Sequence, residues 1–178
     1  MATVYSQGPD APAAPARSSA ADKVWAVTRI ALGWIFLWAF LDKLLGLGFS
    51  TPSERSWLNG GSPTTGFLKG SGENMFGGFF SSLAGQAWVD WLFMIGLLGV
   101  GLALILGIGM KIAAVAGAVM MVLMWLAALP LETNPIIDDH IIYALVLAGL
   151  ALSRAGDTWG LGRQWGRTGL VRKNPVLR

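Results

Sequence analysis

Four apolar runs, at about 24–46, 88–109, 111–130 and 136–154, constrain this chain more than any other feature. A helix needs roughly 20 apolar residues to cross the hydrocarbon of a bilayer. Lipid offers no partner to a bare N–H or C=O, so a segment of that length within it must satisfy its own backbone, as a helix does. Composition agrees: 54% of the 178 residues are hydrophobic and only 13% are charged, about half the charged share of an average soluble domain. The nine Trp fall mostly near the ends of the runs, at Trp25, Trp88, Trp91, Trp125, Trp159 and Trp165. Indoles prefer that interfacial level. The expected fold is an all-α membrane protein, a four-transmembrane-helix antiparallel bundle forming one domain over 23–156. A long, partly helical outer loop, 47–87, lies between the first two spans.

The link between the second and third runs is only Gly107-Ile108-Gly109-Met110-Lys111, which forces a helical hairpin. Pro130 ends the third run, and Asn134-Pro135 marks the turn into the fourth. Residues 1–22 hold Pro9, Pro12 and Pro15 among Ala, Ser and Gly without apolar periodicity, and read as disordered. No basic stretch there leads into a short apolar core, so the first span is expected to serve as its own uncleaved targeting signal. In the loop, Thr51-Pro52-Ser53-Glu54 has the form of a capping box with Pro at the first helical position, and Ser62-Pro63 repeats the start signal. Met75, Phe76, Phe79, Phe80 and Leu83 then recur at helical spacing, weakened by Gly77, Gly78 and Gly85. Short helices on the membrane surface or folded over the bundle mouth are expected; a plain surface loop is the alternative. Beyond the fourth run, 157–178 mixes Trp159, Leu161, Trp165, Leu170 and Val171 with Arg163, Arg167, Arg172, Lys173 and Arg178. That basic amphipathic tail suits anionic lipid, and equally an acidic partner.

Small residues four apart, Gly99/Ala103/Gly107, Ala113/Gly117 and Ala144/Ala148, predict close packing of spans two to four, with the bulkier first span alongside. Met120, Met121 and Met124 read as packing rather than as copper ligands. The chain has no Cys, which excludes disulfides, thiol catalysis, cysteine-ligated zinc and ordinary iron–sulfur clusters within it. Its single His, His140, excludes a bis-His haem or a His cluster within one copy. No bound metal, haem or flavin is expected. The net charge of +3 reflects where the basic residues lie and does not point to nucleic acid.

That placement sets the expected orientation. With both termini cytoplasmic, ten of the 13 Lys and Arg fall inside, and only Lys43, Arg55 and Lys69 fall outside, as the positive-inside rule requires. Seven of the ten acids gather at the outer side. Trp34, Trp38 and Asp42 are spaced i, i+4, i+8 and share one helical stripe. Charges at membrane depth are costly and mark function, unless Lys43 simply snorkels to the headgroups and Asp138 merely caps the fourth helix. A His among carboxylates exchanges a proton near neutral pH. Asp42, Lys43 and His140 are therefore the candidate catalytic residues at the outer mouth. Trp34, Trp38, Asp90, Asp139 and Tyr143 are the candidate binding set.

Three stretches carry a family resemblance: Gly33-Trp34 through Phe40-Leu41-Asp42-Lys43, the loop Trp57-Leu58-Asn59-Gly60-Gly61-Ser62-Pro63-Thr64, and Asp138-Asp139-His140. Over roughly 24–165 they resemble the DoxX family of small four-helix membrane proteins, and most its DoxD-type branch, the large subunit of thiosulfate:quinone oxidoreductase. The loop segment is the most specific part. The resemblance implies a multi-pass subunit in a bacterial cell membrane that passes electrons from thiosulfate or another small reductant to quinone, usually with a second subunit. It carries no catalytic set. Quinone is then the expected co-substrate, its ring stacking on the Trp34/Trp38 stripe. A function of another class also stands: a non-enzymatic scaffold that recruits a soluble redox or stress-response enzyme through its tail. Self-association is compatible with either.

Overall fold

The structure is a computed structural model that describes residues 18–132 and 134–178. Residues 1–17 of the segment expected to be disordered lie outside the described residues. Ala20–Asp22 do not belong with them, because helix α1, Ala20–Leu45, already includes them. Ser19 and Asp22 form a reciprocal capping box, with the Asp22 N–H donating to Ser19 Oγ (3.1 Å) and the Ser19 N–H donating to Asp22 Oδ2 (2.7 Å). Two of the orphan donors at the helix start are thereby satisfied.

Helices α4, Ala87–Leu106, and α5, Met110–Ala128, follow the second and third apolar runs. They are joined by a tight turn in which Gly107 and Gly109 take left-handed φ of 73° and 60°, a conformation that costs a residue without Cβ little. Helices α1, α4 and α5 are each long and apolar enough to cross a membrane. The fourth run carries α6, Asp139–Leu152, of 14 residues. That is about 21 Å of helix against roughly 30 Å of hydrocarbon. Among the described residues there is no strand.

Neighbouring long helices run antiparallel, as their contacts show. Gly33 of α1 faces Leu104 of α4, and Gly101 of α4 faces Leu37 of α1. A methyl group on Gly101 would stand 2.8 Å from the Leu37 nitrogen, and one on Gly33 would stand 2.9 Å from Leu104 Cβ. The first helix is thus drawn against the second at its own glycine, and is not a bulky element laid alongside. Conversely Gly99 has open space around it, so the Gly99/Ala103/Gly107 row is not the contact face of α4. Gly117 of α5 receives Leu147 of α6 and Val100 of α4. Trp25 covers Gly149 and ties α1 to α6. Leu32, Phe36, Met94, Leu97, Leu104, Met121 and Leu147 fill the space between. In lipid such packing, rather than release of water, holds helices together.

The loop between α1 and α4 is ordered into two 3-10 turns, 53–55 and 57–59, and two short helices, α2, Thr65–Gly70, and α3, Gly77–Ser82. Pro52, not Thr51, takes the cap position of the first turn, without a side-chain bond, so the capping box read at 51–54 does not form. Thr51 is buried instead, and its carbonyl accepts from Gly48. Helix α2 begins at Thr65 after a turn at 63–64, and the Ser62 hydroxyl accepts from Thr65 N (3.1 Å), the capping bond expected of the start signal at Ser62-Pro63. Leu68 and Phe80 pack on Ala127. Asn74 Nδ2 donates to the Ala127 carbonyl (2.7 Å), and Met75 N to that of Leu129 (2.9 Å). The loop therefore folds over one end of α4 and α5. At the other end the tail folds back as α7, Gly162–Gly166, and α8, Gly169–Lys173.

Candidate functional site

Two buried carboxylates fasten the loop. Asp42, in the last turn of α1, is 1% exposed. Its Oδ1 accepts from Phe49 N (3.2 Å), and its Oδ2 from Ser50 N (3.0 Å) and Ser50 Oγ (2.6 Å). Asp90, in the first turn of α4, accepts on Oδ1 from Ser62 Oγ (2.8 Å), Thr64 N (3.2 Å) and Thr64 Oγ1 (2.5 Å). A carboxylate with three donors tolerates burial that would otherwise be costly. The chain between the two fasteners turns sharply at Gly60-Gly61. Any side chain at Gly61 would strike the Arg55 carbonyl, so this turn needs a glycine there. Trp57 meets Trp91 of α4 edge to face at 4.6 Å and pins the same segment from its side.

What these contacts roof is a cavity of about 920 Å³, within the size range of small-molecule sites. Its roof end is polar: Lys43, Ser50, Arg55, Ser62, Thr64 and Thr65. The remainder is apolar, from Phe80 and Leu83 of α3 down between α4 and α5, where Phe93, Gly96, Met120 and Met124 line it. Leu92, Val119 and Leu123 line the cavity and are also exposed on the outside of the helices, Val119 by 54%. That flank therefore faces whatever surrounds the bundle, which in a membrane is acyl chain. Lys43 Nζ lies 3.5 Å from Ser50 Oγ. Among the described residues neither Lys43 nor Arg55 stands in an ion pair. The hydroxyl protons of Ser50, Ser62 and Thr64 are already given to Asp42 and Asp90, so the donors left at that end are the cations Lys43 and Arg55, with a lipid-like channel at the other end. This arrangement suits a ligand with an acceptor-rich head and an apolar tail.

Of the eight residues singled out from sequence, Lys43 alone lines this cavity. Asp42 and Asp90 hold its roof. Trp34 is 51% exposed on the outward face of α1, with Trp38 tilted against it at 5.7 Å and Phe49 edge-on to Trp38 at 5.1 Å. This stripe runs outside the cavity. His140 Nδ1 is 2.7 Å from Asp138 and 3.5 Å from Asp139 at the start of α6. Tyr143 packs against the core one turn further on. The Asp138 side chain also caps α6 by accepting from Ile141 N. Asp138, Asp139 and His140 each offer one ligand atom within 4.8 Å of the others, but the shortest approach among them is already the carboxylate–imidazole bond.

Sequence reading missed Arg55, which is isolated in a polar loop, and also the cavity-lining faces of α4 and α5. Periodicity marks an apolar face without telling a packed side from a hollow one. In the sequence Arg29 counts only as one of the ten basic residues on the expected inner side. In the structure it is fully buried, and its guanidinium donates to the carbonyls of Leu104, Ile105 (2.9 Å), Thr158 (3.4 Å) and Trp159 (3.0 Å). It closes the C-terminal end of α4 and ties the tail to it.

The DoxX family pattern matches residues 24–130. The match takes in α1, the loop, α4 and α5, which together supply both carboxylate fasteners and the whole lining of the cavity. No curated protein and no solved structure matches the chain. A match over more than half of the sequence, on helices of membrane-crossing length, makes this chain a member of the DoxX family and a multi-pass membrane protein.

Proposed function

We propose that the protein is the membrane subunit of a quinone-linked oxidoreductase and that the roofed cavity is its quinone site. The observation that carries this reading is the cavity's polarity: the cations Lys43 and Arg55 at the roof, a lipid-open apolar channel below. A quinone head presents only acceptors, and its isoprenoid tail needs a path into the membrane. Lys43 is the residue placed to bind a ring oxygen and to favour the charge that reduction brings there. Asp42 and Asp90 position the roof. His140, bonded to Asp138, is the proton-transfer candidate, without touching the cavity. The Trp34/Trp38 stripe faces outward and is better suited to the membrane interface than to the ring.

The DoxD-type resemblance makes thiosulfate or a similar small reductant the electron source, in a bacterial cell membrane, with a second subunit or soluble redox protein in the path. The chain offers no thiol and no recognisable flavin or haem motif to carry the electrons itself. In this reading α6 completes a fourth span with help from its flanking turns, and both termini are cytoplasmic, as the ten-to-three division of basic residues favours. The scaffold reading gives the cavity no role.

The deciding experiment is substrate-dependent quinone reduction in membranes containing the protein with its partner. Lys43→Met and Gly96→Leu, which respectively remove the head donor and fill the channel, are expected to lower turnover about tenfold or more, in line with losing one positioned charge or the binding volume. Each must keep its thermal stability in detergent. His140→Ala tests the proton role separately. If Lys43→Met and Gly96→Leu both turn over like the parent, the quinone site is elsewhere or absent.

A further inference from the structure

The tail at the opposite end of the bundle is not consumed by this reading. From Thr158 to Arg178 it contains five basic residues and no acid. Arg163, Arg167, Arg172 and Lys173 are exposed, and among the described residues none of the four is in an ion pair. Arg178 alone is paired, with Asp157 at 3.1 Å.

The segment is not a free strand of charge. Leu161 N donates to the Leu106 carbonyl (2.8 Å), and Arg29 holds the carbonyls of Thr158 and Trp159. Lys111 N donates to Arg178 O (3.2 Å), and Trp165 Nε1 donates to the Leu177 carbonyl. With Gly162 and Val171 buried, α7 and α8 are strapped under the α4–α5 turn, at the level where the membrane-crossing helices end. Their free side shows apolar groups beside the charges: Trp159, 61% exposed, with Leu161, Leu170 and Val176.

We infer that this strapped tail is a docking surface for anionic phospholipid headgroups of the adjoining leaflet. Its cations meet phosphate while Trp159, Leu161 and Leu170 enter the headgroup–acyl boundary. The argument is charge complementarity at a fixed depth. Basic side chains near an anionic leaflet are attracted to it, and aromatic and aliphatic neighbours gain by partial insertion. A soluble acidic protein would meet the same charges, but the exposed apolar groups at membrane level favour lipid.

The test uses the full chain purified in neutral detergent, with phosphatidylglycerol and phosphatidylcholine of identical acyl chains as probes. Native mass spectrometry reads the lipid retained, and thermal unfolding reads the stabilisation each gives. The parent is expected to retain phosphatidylglycerol over phosphatidylcholine by about tenfold, the scale of a few surface charges acting together, and to lose the preference at high salt. R163Q/R167Q/R172Q/K173Q should abolish the preference. The two double variants, R163Q/R167Q and R172Q/K173Q, should each weaken it and serve if the quadruple variant unfolds. K69Q, at the other end and outside the cavity lining, should leave it intact. Equal retention of the two lipids by the parent overturns the inference. So does a preference that survives the charge removals, or one lost equally in K69Q. Loss of a co-purifying acidic protein, with no lipid preference in the parent, would assign the surface to protein docking instead.

Discussion

Arg29 solves an electrostatic problem without a carboxylate. Fully buried, it meets four carbonyl oxygens, two of them at the C-terminal end of α4, where the helix dipole is negative. Arg29→Met should therefore leave these acceptors bare and cost about 3 kcal/mol, the scale for losing charged hydrogen bonds in a buried site. Thermal unfolding in detergent measures that loss. Trypsin should also cut the tail at Arg163 and Arg167 sooner, because the strap on Thr158 and Trp159 is gone. Asp42 and Asp90 make a complementary case. Asp42→Ala should loosen the chain at 49–50, and Asp90→Ala the chain at 62–64, each by about 2 kcal/mol locally, read by hydrogen exchange of those amides. A variant that loosens both corners equally would mean that the loop opens as one unit. The sequence did show that a charge pair ends the first helix. It could not show that Asp42 faces back into the loop and Lys43 into a cavity, because adjacent residues on a helix diverge by about 100° and only the fold tells which direction is occupied.

At the level of helices, glycines decide which faces touch. Gly101→Ala puts a methyl against the Leu37 backbone, which cannot move away as a side-chain tip can. It should destabilise the protein by about 1–3 kcal/mol through overpacking. Gly99→Ala, two residues away, meets open space and should be neutral or stabilise by up to about 1 kcal/mol, since it narrows the unfolded ensemble. Equal effects of the two substitutions would show that α4 is rotated relative to this structure. The contrast also marks the limit of pattern reading. Runs of apolar residues told where α1, α4 and α5 lie, to within a few residues at each end. Spacing by four named Gly99, Ala103 and Gly107 as a contact row, yet a stretch this apolar on every side has weak amphipathicity, and the true face runs through Leu97, Gly101 and Leu104. The capping box at Ser19 and Asp22 was missed for another reason. It sits ahead of the apolar run, among residues whose composition resembles the segment before them.

For the molecule as a whole, orientation is the first thing to measure. Ser82, exposed at the loop end, and Gln164, exposed at the tail end, can each be changed to Cys in a chain that has none of its own. An impermeant thiol reagent on intact cells should label Ser82→Cys and spare Gln164→Cys until the membrane is opened. The reverse result would turn the bundle over. Labelling of both from outside would mean that α6 does not complete a crossing, leaving an odd number of spans. The lateral opening beside Leu92, Val119 and Leu123 has a consequence for any kinetic work. A site entered from the bilayer samples a surface, so its occupancy follows the mole fraction of amphiphile among the lipids. Adding buffer to proteoliposomes should leave the rate unchanged, whereas fusing in empty lipid should lower it. A half-saturation value given in moles per litre would drift with the amount of lipid in the cuvette, and only one given in molecules per lipid would be a property of the protein.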